Sequence, residues 1–195
     1  TYVGATTLSG GRLAVSSGSL GGAIGGAGIL TKTGNGALTL AGTGTYAGGL
    51  EVLGGTLRLA SADAADTVGI RFGDATIEAV GGTRTFGGAV TFLNNATQAL
   101  AGSHAFTFTQ VVDLGGDVTD VTFRQNVAGQ TVTFAGGLRA AQLTLNGAWT
   151  VDGAGDTLIQ GNLTGAGGHG FNLIKNGSGT LTLAVGGASN FTQRG

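Results

Sequence analysis

An all-β chain wound into stacked coils is the fold class this sequence predicts, and three observations predict it. Apolar and polar residues alternate with period two through many short segments, as in strands with one face buried. Glycine supplies 42 of 195 residues while proline is absent, so turns fall to Gly, Asn and Asp, which tolerate positive φ. The third observation is an internal repeat, complete over 28–60, partial over 1–15 and partial again over 171–195.

The complete copy, Gly28 to Ala60, reads as three short strands separated by glycine corners. Thr1 to Val15 aligns with Thr45 to Leu59, which places Leu8 on Val52, Leu13 on Leu57 and Val15 on Leu59. Those aliphatic positions are expected inside, whereas Ala14 and Arg58 interchange and are expected outside. Phe171 to Ala184 aligns with Gly28 to Ala41 and sets Lys175 on Lys32. A chain that begins at Thr1-Tyr2, the counterpart of Thr45-Tyr46, is expected to be a fragment of a longer one, here a single segment over 1–195.

Taken in order, Ser16 to Ala27 holds isolated Leu20 and Ile24 among glycines, one thin strand between turns. Leu38-Thr39-Leu40 and Leu57-Arg58-Leu59 are half-buried strands, and Gly34, Gly36, Gly54 and Gly55 are corners. Alternation stops at Ser61 to Asp66, where a loop or a single helical turn is expected. It resumes at Thr76-Ile77-Glu78 and passes into apolar-Thr-apolar triads centred on Thr91, Thr107, Thr122, Thr133, Thr144, Thr150 and Thr182, with Thr39 an earlier copy. β-Branched and aromatic residues favour strands, and no segment carries helical spacing.

Composition narrows the function classes. Hydrophobic residues at 41% exclude a disordered chain, and the absence of cysteine excludes disulfides and thiolate metal sites. The nine basic residues stand singly against a net charge of −1, which gives no footprint for nucleic acid. No apolar run is long enough to span a membrane as a helix, and no signal peptide is visible.

Hairpins closed by Asn35-Gly36, Asn146-Gly147 and Asn176-Gly177 would build a sandwich or barrel. The repeat favours a β-solenoid, in which like residues stack from coil to coil and every corner needs a small residue. At about 20 residues per coil the chain would make roughly nine turns, about 40 Å of rod.

Leu30-Thr31-Lys32-Thr33-Gly34-Asn35-Gly36, Leu38-Thr39-Leu40, Thr45-Tyr46-Ala47-Gly48-Gly49 and Gly55-Thr56-Leu57 resemble the passenger-associated transport repeat of bacterial autotransporters. The resemblance implies a right-handed parallel β-helix, exposed on or released from a Gram-negative cell. It implies an outer-membrane β-barrel translocator as partner during export, with the repeat assisting passage and folding.

The search for chemistry gives no catalytic, cofactor-binding or metal-binding residue. His104 and His169 lie in GSHAF and GGHGF with no acid nearby, and read as turn or surface residues. Gly165 to Gly170 satisfies G-x-G-x-x-G but leads into a strand, where a dinucleotide site needs a helix N-terminus. Asp152-Gly153-Ala154-Gly155-Asp156-Thr157-Leu158 has the flavour of a calcium-binding nonapeptide but stands alone, and reads as a turn. Asp113, Asp117 and Asp120, within eight positions, are candidates for the paired carboxylates of a glycan-cleaving enzyme, although their contexts read as turns. The triad threonines would suit ice if they shared one face. Asn95-Ala96-Thr97, Asn162-Leu163-Thr164 and Asn190-Phe191-Thr192 match glycosylation acceptors by chance composition. Trp149 and the phenylalanines are expected inside.

The expected function is therefore structural: a non-catalytic cell-surface or secreted passenger segment acting as stalk, adhesin body or fibre unit. A host or surface glycan or protein is an expected partner. So is a second copy stacked head to tail, because open solenoid ends expose strand edges. The alternatives are a secreted polysaccharide-active β-helix enzyme and a glycan- or ice-binding module.

Overall fold

The computed structural model describes residues 1–93, 95–115, 118–140, 143–165 and 172–185, with the backbone alone at 118–119 and 143–147. Every strand pairing among them is parallel and joins one coil to the next, which excludes the hairpin architectures. The chain is a β-solenoid of three faces.

The first face holds eight strands: Arg12–Val15, Ile29–Lys32, Leu50–Val52, Ile70–Phe72, Val90–Phe92, Val112–Leu114, Leu138–Ala140 and Leu163–Gly165. The second also holds eight: Gly18–Leu20, Ala37–Leu40, Thr56–Leu59, Ala75–Ala79, Ala96–Gly102, Val118–Val127, Leu143–Asp152 and Asn172–Lys175. The third is divided. Thr6–Leu8, Ile24–Gly26 and Gly44–Tyr46 form one sheet, and Arg84–Phe86, Phe106–Phe108, Thr131–Phe134, Asp156–Ile159 and Leu181–Leu183 form another. Between them the expected excursion is a 3-10 helix, Ala62–Ala64, capped by Ser61, whose side chain accepts from Asp63 N.

The described residues thus stack eight deep rather than the nine turns expected. Coils near the start repeat every 20 residues, as Arg58 against Glu78 shows, but later ones lengthen to 26, as Asp113 against Arg139 shows. Ten-residue second-face strands at Val118–Val127 and Leu143–Asp152 absorb the extra length.

Two further expectations change. Gly28 to Ala60 carries five strands, not three, because Gly44–Tyr46 and Leu50–Val52 are too short to stand out in the sequence. Ser16 to Ala27 likewise carries two, Gly18–Leu20 and Ile24–Gly26.

The repeat copies also occupy different faces. Leu13 pairs with Leu30, which pairs with Leu50, so its column is that of Leu50 and not of Leu57. Lys175 lies on the second face and Lys32 on the first. Each copy keeps its strand-and-corner spacing but is rotated by one face. Period-two alternation points the same residues inward on any face, so Leu13, Val15, Leu57 and Leu59 still pack inward while Ala14 and Arg58 face solvent.

The core is a set of stacked columns. On the early coils these are aliphatic, with Leu30, Leu38, Leu40, Leu50, Leu57 and Leu59 buried. Later they become aromatic. Phe108 lies parallel to Phe134 with centroids 4.9 Å apart, and Phe123 stacks on Trp149 at 6.1 Å. Buried apolar surface contributes about 25 cal/mol per Å², and rings at these separations add about 0.5–1.5 kcal/mol per pair. Trp149 and the seven described strand phenylalanines are all buried, as expected.

Candidate functional site

Four long polar side chains point inward among these columns: Lys32, Arg84, Gln98 and Gln125, all buried. Their parity in the alternation explains why, since Arg84 is two positions from Phe86, and Gln98 two from Leu100. Each reaches a corner and donates to backbone carbonyls there, of which Leu59 O and Phe72 O also accept from Val80 N and Leu93 N. Lys32 Nζ donates to Thr33 O, Gly34 O and Gly54 O at 2.7, 2.9 and 2.8 Å. Arg84 donates to Leu59 O, Val80 O, Gly82 O and Thr83 O, which occupies its whole guanidinium fork.

Gln98 Nε2 donates to Phe72 O and Leu93 O. Gln125 Nε2 donates to Gln130 O and Asp156 O, while its Oε1 accepts from Val127 N. Burial lowers the pKa of both Lys32 and Arg84, and the carbonyl oxygens around them favour the charged forms. These are buried cations held by dipoles, and they serve the corners.

Outside, the charges are organised in columns. On the first face the outward positions run Ala14, Thr31, Glu51, Arg71, Thr91, Asp113, Arg139, Thr164. Glu51 pairs with Arg71 at 3.8 Å and also with Arg12, which reaches two coils along past Thr31. Arg139 grips Asp113 with two bonds of 2.6 and 2.9 Å, and this contact raises the Arg139 pKa. On the second face Arg58 meets Glu78 at 2.8 Å and Arg124 meets Asp152 at 3.1 Å.

The expected site residues fall into this frame. Asp113 is on the first face and Asp120 on the second, so these two carboxylates do not converge; Asp117 lies outside the described residues. Among the described residues no three His, Cys, Asp or Glu side chains gather to hold a metal ion. The segment Asp152 to Leu158 turns the corner from the second face to the third, with Asp152 on Arg124 and Asp156 Oδ1 accepting from Thr180 N at 2.8 Å. Its glycines are dictated by packing: a Cβ on Gly155 would fall 2.6 Å from Gln125 Nε2.

His104 occupies a half-buried corner position. His169, most of Gly165 to Gly170, and Asn190-Phe191-Thr192 lie outside the described residues. The triad threonines are divided among all three faces, with Thr39 on the second, Thr91 on the first and Thr107 on the third.

Sequence reasoning missed the corner-capping set. Lys32 and Arg84 read only as two of nine singly scattered basic residues, although their inward parity was visible beside Leu30 and Phe86.

What these features define is a structural repeat protein: stacked coils with capped corners, an apolar interior and self-neutralised outer columns. The family model of the passenger-associated transport repeat matches residues 1–15, 30–59 and 173–192. The similarity to passenger-associated transport repeats is carried by these segments, and the β-solenoid fold is consistent with autotransporter passenger repeats. No curated protein and no solved structure matches it.

Proposed function

We propose that this chain is a load-bearing body segment of a secreted or surface-exposed autotransporter passenger from a Gram-negative cell, acting as stalk, adhesin body or fibre unit without catalysis of its own. The observation that carries this reading is the dependence of each coil on its neighbours alone. Every strand pairs one coil away, and Arg12, Glu51, Arg58, Arg71, Glu78, Asp113, Arg124, Arg139 and Asp152 each answer an opposite charge a coil or two distant. Such a chain folds progressively as it emerges, each coil templating the next, which suits passage through an outer-membrane barrel. The repeat, indifferent to the face it occupies, supplies strand and corner wherever the emerging chain needs one.

Head-to-tail association of copies is part of the reading. Leu13, Val15 and Leu20 in the first described coil, and Leu173, Leu181 and Val185 in the last, are partly buried apolar residues packed against the core. Electron microscopy of the purified chain across a concentration series tests this, with filaments or end-joined rods expected. Monodisperse single particles at every concentration would remove the fibre version. Fusion to a translocator barrel tests the export role: protease-accessible chain on the cell surface is expected, and retention in the periplasm would count against it.

A further inference from the structure

The three outer faces differ in charge, and the third differs most. Its central outward column runs Thr85, Thr107, Thr133, Leu158, Thr182 through five stacked strands. The outward positions two residues earlier are Thr83, Ala105, Thr131, Asp156 and Thr180, and two residues later Gly87, Thr109, Ala135, Gln160 and Ala184. Asp156 is the sole charge in this field, and its carboxylate already accepts from Thr180 N. The other two faces carry the Arg-carboxylate pairs.

We propose that this third face binds the surface of ice. Threonines one coil apart are separated by about 4.8 Å, and those two residues apart along a strand by about 6.6 Å. Together they make a two-dimensional lattice of hydroxyl and methyl groups. The sheet beneath holds it rigid, and β-branching restricts χ1, so each threonine has few rotamers to lose. The hydroxyls of Thr85, Thr107 and Thr133 have no hydrogen-bond partner among the described residues and are free to order water.

The chemistry of the face argues against ionic ligands and stacked sugars. Charged groups for an ionic ligand are lacking. Sugar rings stack on exposed aromatics, yet Phe86, Phe106, Phe108 and Phe134 point into the core from these same strands. An uncharged, regular array without aromatics matches a solid made of water. The central column is interrupted at one rung, by Leu158, which makes Thr85, Thr107 and Thr133 its continuous part, flanked by Thr83, Thr109 and Thr131.

The test is ice-recrystallisation inhibition by the purified chain, together with the shape of a single ice crystal grown in it. Wild type and Thr39→Lys, a change on the second face, are expected to arrest coarsening and facet the crystal. Thr107→Lys/Thr133→Lys is expected to lose that activity several-fold while keeping its β circular-dichroism spectrum. Thr85→Lys, at an exposed position, gives the same reading should the double variant fail to fold. Coarsening by wild type at the rate of an inert control protein, or full activity in a folded face variant, would overturn the proposal.

Discussion

At the scale of single residues, the informative positions are the polar ones turned inward. Arg84 places its five N–H donors on four carbonyls, and lysine has three donors with no planar fork. Arg84→Lys therefore loses at least two of these five bonds around a buried cation and should cost about 1–3 kcal/mol, read as a lower urea midpoint at unchanged m-value; an unchanged midpoint would refute the capping role. The pH response has a partner residue. Asp152 has its pKa lowered, first by the Gly153 N–H and then by Arg124, so the folded state holds its proton less tightly than the unfolded chain does. Its contribution is fully present above the ordinary carboxylate pKa of about 4 and is lost as pH falls through the lower folded value. Asp152→Asn should accordingly flatten the fall in urea midpoint below about pH 4 while changing little of its slope at higher pH.

At the scale of the element, the corner rather than the strand sets sequence requirements. A Cβ on Gly42 would overlap the carbonyl oxygen of Gly22 in the coil beside it, whereas one on Gly10 meets nothing within 4 Å. Gly42→Ala should therefore destabilise by about 1–3 kcal/mol and Gly10→Ala by almost nothing, a contrast that thermal unfolding of the two variants measures directly. Gly155 and Gln125 make a coupled case, because the clash there is with side-chain atoms. Gly155→Ala should be costly in the native background and cheaper beside Gln125→Ala, with a coupling energy of about 1 kcal/mol or more in a double-mutant cycle; additive costs would sink the assignment. Much of this was legible in the sequence. Alternation gave the strands, glycine gave the corners, and Leu57 and Leu59 were placed inside correctly. What was hidden is the face each strand occupies. A two-residue period fixes in against out, but only the interchain-like hydrogen bonding between coils decides that Leu13 stacks over Leu50. Three-residue strands such as Gly44–Tyr46 are also too short to show a period. Of the candidate sites, the isolation of Asp113 from Asp120 follows from that same unseen face assignment.

At the scale of the whole molecule, stability in a stack is close to a sum of coil and interface contributions, and those contributions are unequal along this one. The coils from Ile70 to Leu163 are joined by a continuous aromatic column in which Phe134 touches Phe92, Phe108, Phe123 and Trp149 at centroid distances of 6.3, 4.9, 5.2 and 5.9 Å. The first coil has no equivalent: Leu13, Val15 and Leu20 are only partly covered, and glycines fill much of 16–28. Opening should begin there and stop where the rings begin. Hydrogen exchange is expected to grade accordingly, with amides of Thr6–Leu8 and Arg12–Val15 exchanging first and those of Phe106–Phe108 and Thr131–Phe134 last. Phe134→Ala, which removes a ring from four contacts, should cost about 3–5 kcal/mol and erase the gradient by lowering protection in the aromatic coils toward that of the first. Leu13→Ala should leave those coils untouched. Uniform protection along the native chain would instead mean that the solenoid opens as one cooperative block, and the coil-by-coil account of its folding during export would fail with it.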